Sequence, residues 1–316
     1  MVRYSRVVLV ALSCLLVAGC HPAPGASPLE TPSPEATEGL PPFADPGGPQ
    51  PVDIYQAEKL SQVDYAQRLV RNTCLAEAGY PQNLNNMPEY RPEGNYLRFH
   101  PSTYFEFASE EEARERGMNR DRPAEPPYII SFDPGYDAAL EQCEAQAWSR
   151  LGADAKATYD AYVDVGDQVN AVIVARVRPV LRAGVASLIE CLEETGFVFR
   201  GTDEERENVG LLNLAPYFVT MGHYEPEQED WEPERIPGTV QVSPPVIAQD
   251  WIPSPEEREF AVAVYRCDQQ TGRLDEAWAA HYAAQVEAVG RFESSFAELN
   301  PKLDVLAAAA SAIAAR

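Results

Sequence analysis

The chain has 316 residues, of which 49 are acidic and 25 basic, and its net charge is −24. A surface that negative repels nucleic acid and anionic headgroups, so nucleic acid is excluded as a partner, while a basic partner or divalent cations would match the charge. With 45% hydrophobic residues, the chain is long enough for one large or two small domains.

Arg3 and Arg6 precede an apolar run from Val7 to Ala18. Roughly twelve residues cannot cross a hydrocarbon core of about 30 Å as a helix. The pattern predicts a signal peptide over residues 1–19. The run closes on Leu16-Val17-Ala18-Gly19-Cys20, a branched apolar residue and small residues directly before a cysteine. This segment resembles the lipobox of bacterial lipoproteins. The resemblance implies a diacylglyceryl group on the Cys20 sulfur, Cys20 as the mature N-terminus, and an address on the outer face of the bacterial cytoplasmic membrane. Each buried CH₂ contributes about 0.8 kcal/mol, and two chains hold far more firmly than one. The membrane is thus an expected partner through Cys20. Two arginines and no acid leave with the leader, which takes the net charge from −24 to −26. No later apolar stretch reaches the ~18 residues that a membrane span needs.

Residues 20–51 are rich in Pro, Ser, Gly, Ala and Glu and poor in large apolar residues. Such a segment cannot offset its ordering entropy by burial, and its prolines favour extension at about 3 Å per residue. It is expected to be a disordered stalk.

The remainder divides into a first repeat unit at 52–153, a long connecting helix at 154–190, a second unit at 191–272 and a long C-terminal helix at 273–316. Maturation removes Cys14 and lipidates Cys20, which leaves Cys74, Cys143, Cys191 and Cys267. An even number in an oxidising compartment argues for two disulfides, and four cysteines allow three pairings. Cys74 and Cys191 each sit in a helical run that ends in Gly plus an aromatic residue, Gly79-Tyr80 and Gly196-Phe197. Glycine is favoured just past a helix end because it accepts positive φ. Cys143 and Cys267 each lie on a later helix with an apolar residue three positions before. The two spans are similar in length, so 74–143 and 191–267 is the favoured pairing, with two divergent copies of one unit. A long helix between 143 and 191 also argues against Cys143–Cys191, since a disulfide needs Cα atoms within about 7 Å. The mature region resembles uncharacterised exported proteins of high-GC Gram-positive bacteria in this plan of helix cysteine, Gly plus aromatic, and second helix cysteine. That resemblance implies no activity.

The strongest periodicity runs through Trp278, Tyr282, Gln285, Val289, Phe292, Phe296, Leu299, Leu303, Leu306, Ala310 and Ile313, in alternating steps of four and three. A similar frame occurs earlier in Tyr159, Tyr162, Gly166, Val169, Ile173, Arg176, Val180 and Ala183. Pro179 and Pro301 are expected to kink the two helices. His281 falls beside the stripe and is expected at its rim. Between the paired cysteines the chain is rich in proline and aromatics, with strand-like runs at 95–100, 104–107, 128–132, 217–221 and 239–242. Ser109 with Glu112 and Ser254 with Glu257 read as capping boxes. The expected fold is therefore mainly α with small α+β lobes: two divergent disulfide-closed repeats joined by long, kinked, heptad-patterned helices.

The sequence has no G-x-S-x-G, H-E-x-x-H, P-loop, G-x-G-x-x-G or C-x-x-C motif. No enzymatic activity, cofactor or metal is expected. The candidate binding loop is proline-bounded and holds His223, Tyr224 and Trp231 among five acids from Glu225 to Glu232, with Trp251 further on. Its carboxylates fit no EF-hand spacing, and its aromatics suit a platform for a protein or a sugar ring. Tyr90, Tyr96, Tyr104 and Phe105 form a comparable set in the first unit. The expected function is that of a non-enzymatic envelope lipoprotein presenting a surface to an envelope protein or to cell-wall glycan. A substrate-binding lipoprotein of a transporter and a cell-wall hydrolase are the alternatives. The former lacks the alternating strand–helix pattern of doubly wound lobes.

Overall fold

Two helices of about 60 Å each dominate the molecule. The computed structural model describes residues 48–85, 87, 90, 92, 94–100 and 107–315, and the backbone alone at Leu212. The predicted signal peptide, Cys20, the stalk as far as residue 47, Tyr104 and Phe105 lie outside the described residues. In chain order the helices are α1 (Ala57–Glu77), α2 (Gln82–Asn85), α3 (Glu110–Arg116), α4 (Pro134–Leu151), α5 (Ala155–Glu194), α6 (Asp203–Asn208), α7 (Pro255–Thr271) and α8 (Arg273–Ala314). Among the described residues, four short strands, β1 (Ile129–Ser131), β2 (His223–Glu225), β3 (Val240–Val242) and β4 (Asp250–Ile252), complete the order.

α8 packs along α5, and α1 lies against both α8 and α4. The main core is the apolar stripe of these helices: Tyr162, Val169, Ile173 and Val177 from α5 meet Phe296, Leu299, Leu303 and Leu306 from α8. Of the predicted α8 stripe, Trp278, Gln285, Phe296, Leu299, Leu303, Leu306 and Ala310 are buried. Each large apolar side chain so buried contributes roughly 1.5–3 kcal/mol. Both long helices continue past their prolines, Pro179 and Pro301. α5 also runs on through Cys191 to Glu194, four residues beyond the predicted connecting helix. No described helix is long and apolar enough to cross a membrane.

The stalk was expected to reach residue 51, but the folded body begins earlier. Gln50 is 5% exposed, and Pro51–Ile54 forms a 3-10 turn that buries Val52. The polar side chain of Gln50 is accepted inside because it pairs with Phe99: its Nε2 donates to the Phe99 carbonyl and its Oε1 accepts from the Phe99 amide.

Both disulfides join the expected partners. Cys74–Cys143 has a Cα separation of 5.6 Å and Cys191–Cys267 one of 5.8 Å. The helix ends beside them are alike. Gly79 N–H donates to Ala76 and Tyr80 N–H to Leu75; Gly196 N–H donates to Glu193 and Phe197 N–H to Leu192. This is a Schellman cap in the same register twice, with φ at +101° at each glycine.

The segments between paired cysteines do not form two separate lobes. Arg122 faces Gln249, Glu125 faces Val246, and Ile129 to Ser131 face Val242 to Val240. Across these pairs the two residue numbers keep a constant sum, so residues 122–132 and 239–249 form one antiparallel ribbon in unbroken register. The ribbon ties the first segment to the second. α3 does the same: it packs on α7, and Phe107, Ala113 and Met118 enter the core built on Phe260, Leu188 and Leu192. The physical reason is area. The first segment's own core, around Leu75, Tyr136 and Cys143, is too small to bury it. Of the strand-like runs, 128–132 and 239–242 hold β1 and β3, whereas 95–100 contains a turn and 217–221 follows a 3-10 turn at Ala215–Tyr217.

Candidate functional site

The predicted loop around His223 is one arm of a long hairpin. Its base is the β2–β4 pair, His223 to Glu225 facing Ile252 to Asp250. Its tip is the Pro237-Gly238 turn, where Gly238 has φ +77°. Proline then glycine is the order a type II turn requires, because the third position needs positive φ. Between base and tip the prolines interrupt the ladder, and glutamine side chains bridge it. Gln228 Nε2 donates to the Pro245 carbonyl (3.0 Å) while its Oε1 accepts from the Ile247 amide (2.9 Å). Gln249 Nε2 donates to the Pro226 carbonyl (2.7 Å), and Gln241 Nε2 donates to the Glu234 carbonyl. These bonds join residues in the register of β2 and β4. The 239–252 arm is thus the central strand, with 223–236 on one side and 122–132 on the other.

Tyr224 and Trp251 come together as a cross-strand pair, edge to face at 4.7 Å. They are not a bare platform. The Arg122 guanidinium lies 3.7 Å from the Tyr224 ring centroid. Trp251 Nε1 donates to Glu257 Oε1 (2.9 Å), and its amide donates to Asp121 (2.8 Å). Trp231 is not part of that pair; its ring meets Tyr128 at 5.6 Å. His223 lies exposed, 3.0 Å from Glu225. With Pro226, Glu227 and Asp250, these two line a shallow, open depression.

Sequence reasoning missed Glu257. It was read as half of a capping box, and half of that holds: Ser254 accepts from the Glu257 amide and caps α7. Its carboxylate is turned inward and fully buried. It accepts from Met118 N (2.7 Å), Gly222 N (2.7 Å) and Trp251 Nε1 (2.9 Å). Three N–H donors satisfy the oxygens of this buried carboxyl group. Glu257 therefore fastens the hairpin base and the segment after α3 to the first turn of α7. Ser109 likewise caps α3, but Glu112 reaches the amide of Ala108 and not that of Ser109. A complete capping box is formed by Thr202 with Glu205, at α6. There the Thr202 amide and hydroxyl hold the Glu205 carboxyl below the usual carboxylate range. Next to the hairpin base, the Thr220 amide does the same for Glu256.

What the hairpin offers to solvent is charge. Glu225, Glu227, Glu229, Asp230, Glu232 and Glu234 are all exposed along its outer arm, flanked by exposed Ile236 and Ile247. Among the described residues, no three His, Cys, Asp or Glu side chains are grouped to hold a metal ion. In the first segment, Tyr90 packs on Tyr65 at 5.2 Å and Tyr96 on Tyr55 at 5.7 Å. In comparison with known proteins, no family model, no curated protein and no solved structure matches the chain.

Proposed function

We propose that the chain is a non-enzymatic envelope lipoprotein. It is anchored through Cys20 on the outer face of the cytoplasmic membrane and presents the 223–252 hairpin to a protein or cell-wall partner. The observation that carries this reading is the run Leu16-Val17-Ala18-Gly19-Cys20 closing a short apolar leader. The two formed disulfides support it, because such bonds persist outside the reducing cytosol. The exposed acidic arm supports the hairpin as the presented face, since uncompensated charge steers encounter with a basic surface. The disulfide-closed segments are divergent copies of one unit, a reading supported by their matching Schellman caps. The long helices pack through a heptad-type stripe.

Metabolic labelling with a fatty-acid analogue tests the anchor. The wild-type chain should take up label and sediment with membranes, and Cys20→Ser should do neither. Wild-type protein that stays unlabelled ends the lipoprotein reading. In-cell photocrosslinking from position 229 tests the face. A dominant envelope protein or wall fragment that disappears when Glu227, Glu229 and Glu232 are changed to lysine is the expected result.

A further inference from the structure

A buried polar cluster lies where the start of the folded body meets α8. Gln285 is fully buried, and its Nε2 is within hydrogen-bond distance of three acceptors: Gln50 Oε1 (2.8 Å), the Leu97 carbonyl (3.0 Å) and His281 Nδ1 (3.1 Å). Its Oε1 has no hydrogen-bond partner among the described residues. An amide with three acceptors at one end and none at the other is oriented by what those acceptors demand. Gln50 Oε1 and the Leu97 carbonyl can only accept. His281 Nδ1 accepts only while the ring is neutral, so a proton on it would ask for the opposite end of the amide.

We propose that His281 and Gln285 form an acid-sensitive latch that holds residues 48–51 and the 95–100 turn against α8. A proton on Nδ1 makes it a donor. Gln285 then turns its Oε1 toward His281 and so presents that oxygen to two other acceptors, Gln50 Oε1 and the Leu97 carbonyl. Repulsion replaces two hydrogen bonds, and the Gln50–Phe99 pairing loses its support on α8. The alternative, leaving the amide in place, points its N–H at a cation. Lifting the turn hydrates the imidazolium, which burial beneath Phe99 otherwise denies it; that ring packs at 5.2 Å.

The surroundings favour this response. His100 faces His281 from the turn and disfavours a proton on it, and α5 contributes the apolar Leu181. Tyr282 of α8 packs against the same Phe99 and Trp278 cluster. Asp53, in the 3-10 turn at Pro51–Ile54, and Arg98, in the 95–100 turn, are paired with each other. Burial, with a smaller contribution from His100, lowers the His281 pKa from 6.5 to about 4. The sign follows: an opened latch binds the proton more tightly, so opening is promoted as pH falls below 6.5. If the lipoprotein reading holds, release of residues 48–51 lengthens the stalk and turns external acidity into reach; the latch itself does not depend on that reading.

Hydrogen exchange on the full chain, corrected for intrinsic pH dependence, tests it. The open population at the Phe99 amide should rise about twentyfold between pH 7 and pH 5, as linkage between 6.5 and about 4 requires. Exchange at Val264, in the core of α7, should change less than threefold. His281→Gln should abolish the rise at Phe99. A change below threefold at Phe99, or an undiminished rise in H281Q, overturns the proposal. Because H281Q removes a buried ring, the wild-type imidazole is also titrated by NMR. An apparent pKa below 5.5 supports the latch, and one above it overturns it.

Discussion

The segment closed by Cys74–Cys143 and the one closed by Cys191–Cys267 share a local device and differ in what surrounds it. Each begins with a helix that ends in a Schellman cap on a glycine at φ +101°. Their loops span 69 and 76 residues, so chain entropy stabilises the two closures almost equally. Around the first, Leu75, Tyr136 and Cys143 form a small buried cluster among the described residues. Around the second, Phe218, Phe260, Leu188, Leu192 and Leu214 form a continuous core that also takes in Phe107 and Met118 from the first segment. A covalent clamp and a local cap do not make a stable lobe. Buried area does, and here the second segment gathers area from both.

The largest expected effect breaks that core directly. Phe260 is fully buried and meets Phe197 and Phe218, each at 5.2 Å. Phe260→Ala should cost about 3–5 kcal/mol of unfolding free energy, read from urea melts. Leu75→Ala, equally buried but in the thin cluster, should fall near the low end of the ~2–5 kcal/mol range, because its surroundings collapse more readily. Equal losses would mean that the two cores are one cooperative unit and that the contrast between them is only geometric.

A smaller effect is expected from reduction. Cys74 is half-buried, whereas Cys191 and Cys267 are 5% and 1% exposed. Thiol–disulfide exchange needs access to sulfur. Under mild reductant, alkylation followed by peptide mapping should find Cys74 and Cys143 labelled about tenfold faster than the other pair. Labelling in the reverse order would show that the second core opens more often than its burial implies.

The pairing of cysteines was legible because the cap signal is local: cysteine, then glycine and an aromatic, is read without knowing the fold. The long helices were legible from a stripe that repeats over many turns. The ribbon was not. Its strands lie far apart in sequence, and Pro123, Pro126, Pro127, Pro226, Pro233, Pro244 and Pro245 disguise them as loops. Gln228, Gln241 and Gln249 then replace ladder bonds with side-chain ones, which carry no periodicity. Glu257 was misread for a related reason. Its position in a helix's first turn suggests capping, but the three donors that claim its carboxylate arrive from residues 118, 222 and 251. His281 does stand beside the α8 stripe, yet it is buried and not at a rim, because Gln50 and the 95–100 turn cover that part of α8. Of the candidate site, Tyr224 and Trp251 meet across the β2–β4 pair. Trp231 went elsewhere because Tyr128, on the other side of the ribbon, supplies its ring contact.

The smallest expected effect tests whether the two caps are equivalent. A Cβ added at Gly79 or Gly196 meets nothing within 4 Å. Alanine there suffers backbone strain alone, about 1 kcal/mol for an L-residue in the left-handed region. Gly79→Ala and Gly196→Ala should therefore cost the same, with each stability read from the same urea transition. A cap that is cheap at 79 and costly at 196 would mean that the thin-cored segment relaxes its helix end and escapes the strain. The common φ of +101° would then be enforced only where the surrounding core is thick. Equal costs, set against unequal losses for Phe260→Ala and Leu75→Ala, would place the difference between the two segments in their cores and show that their caps are energetically alike.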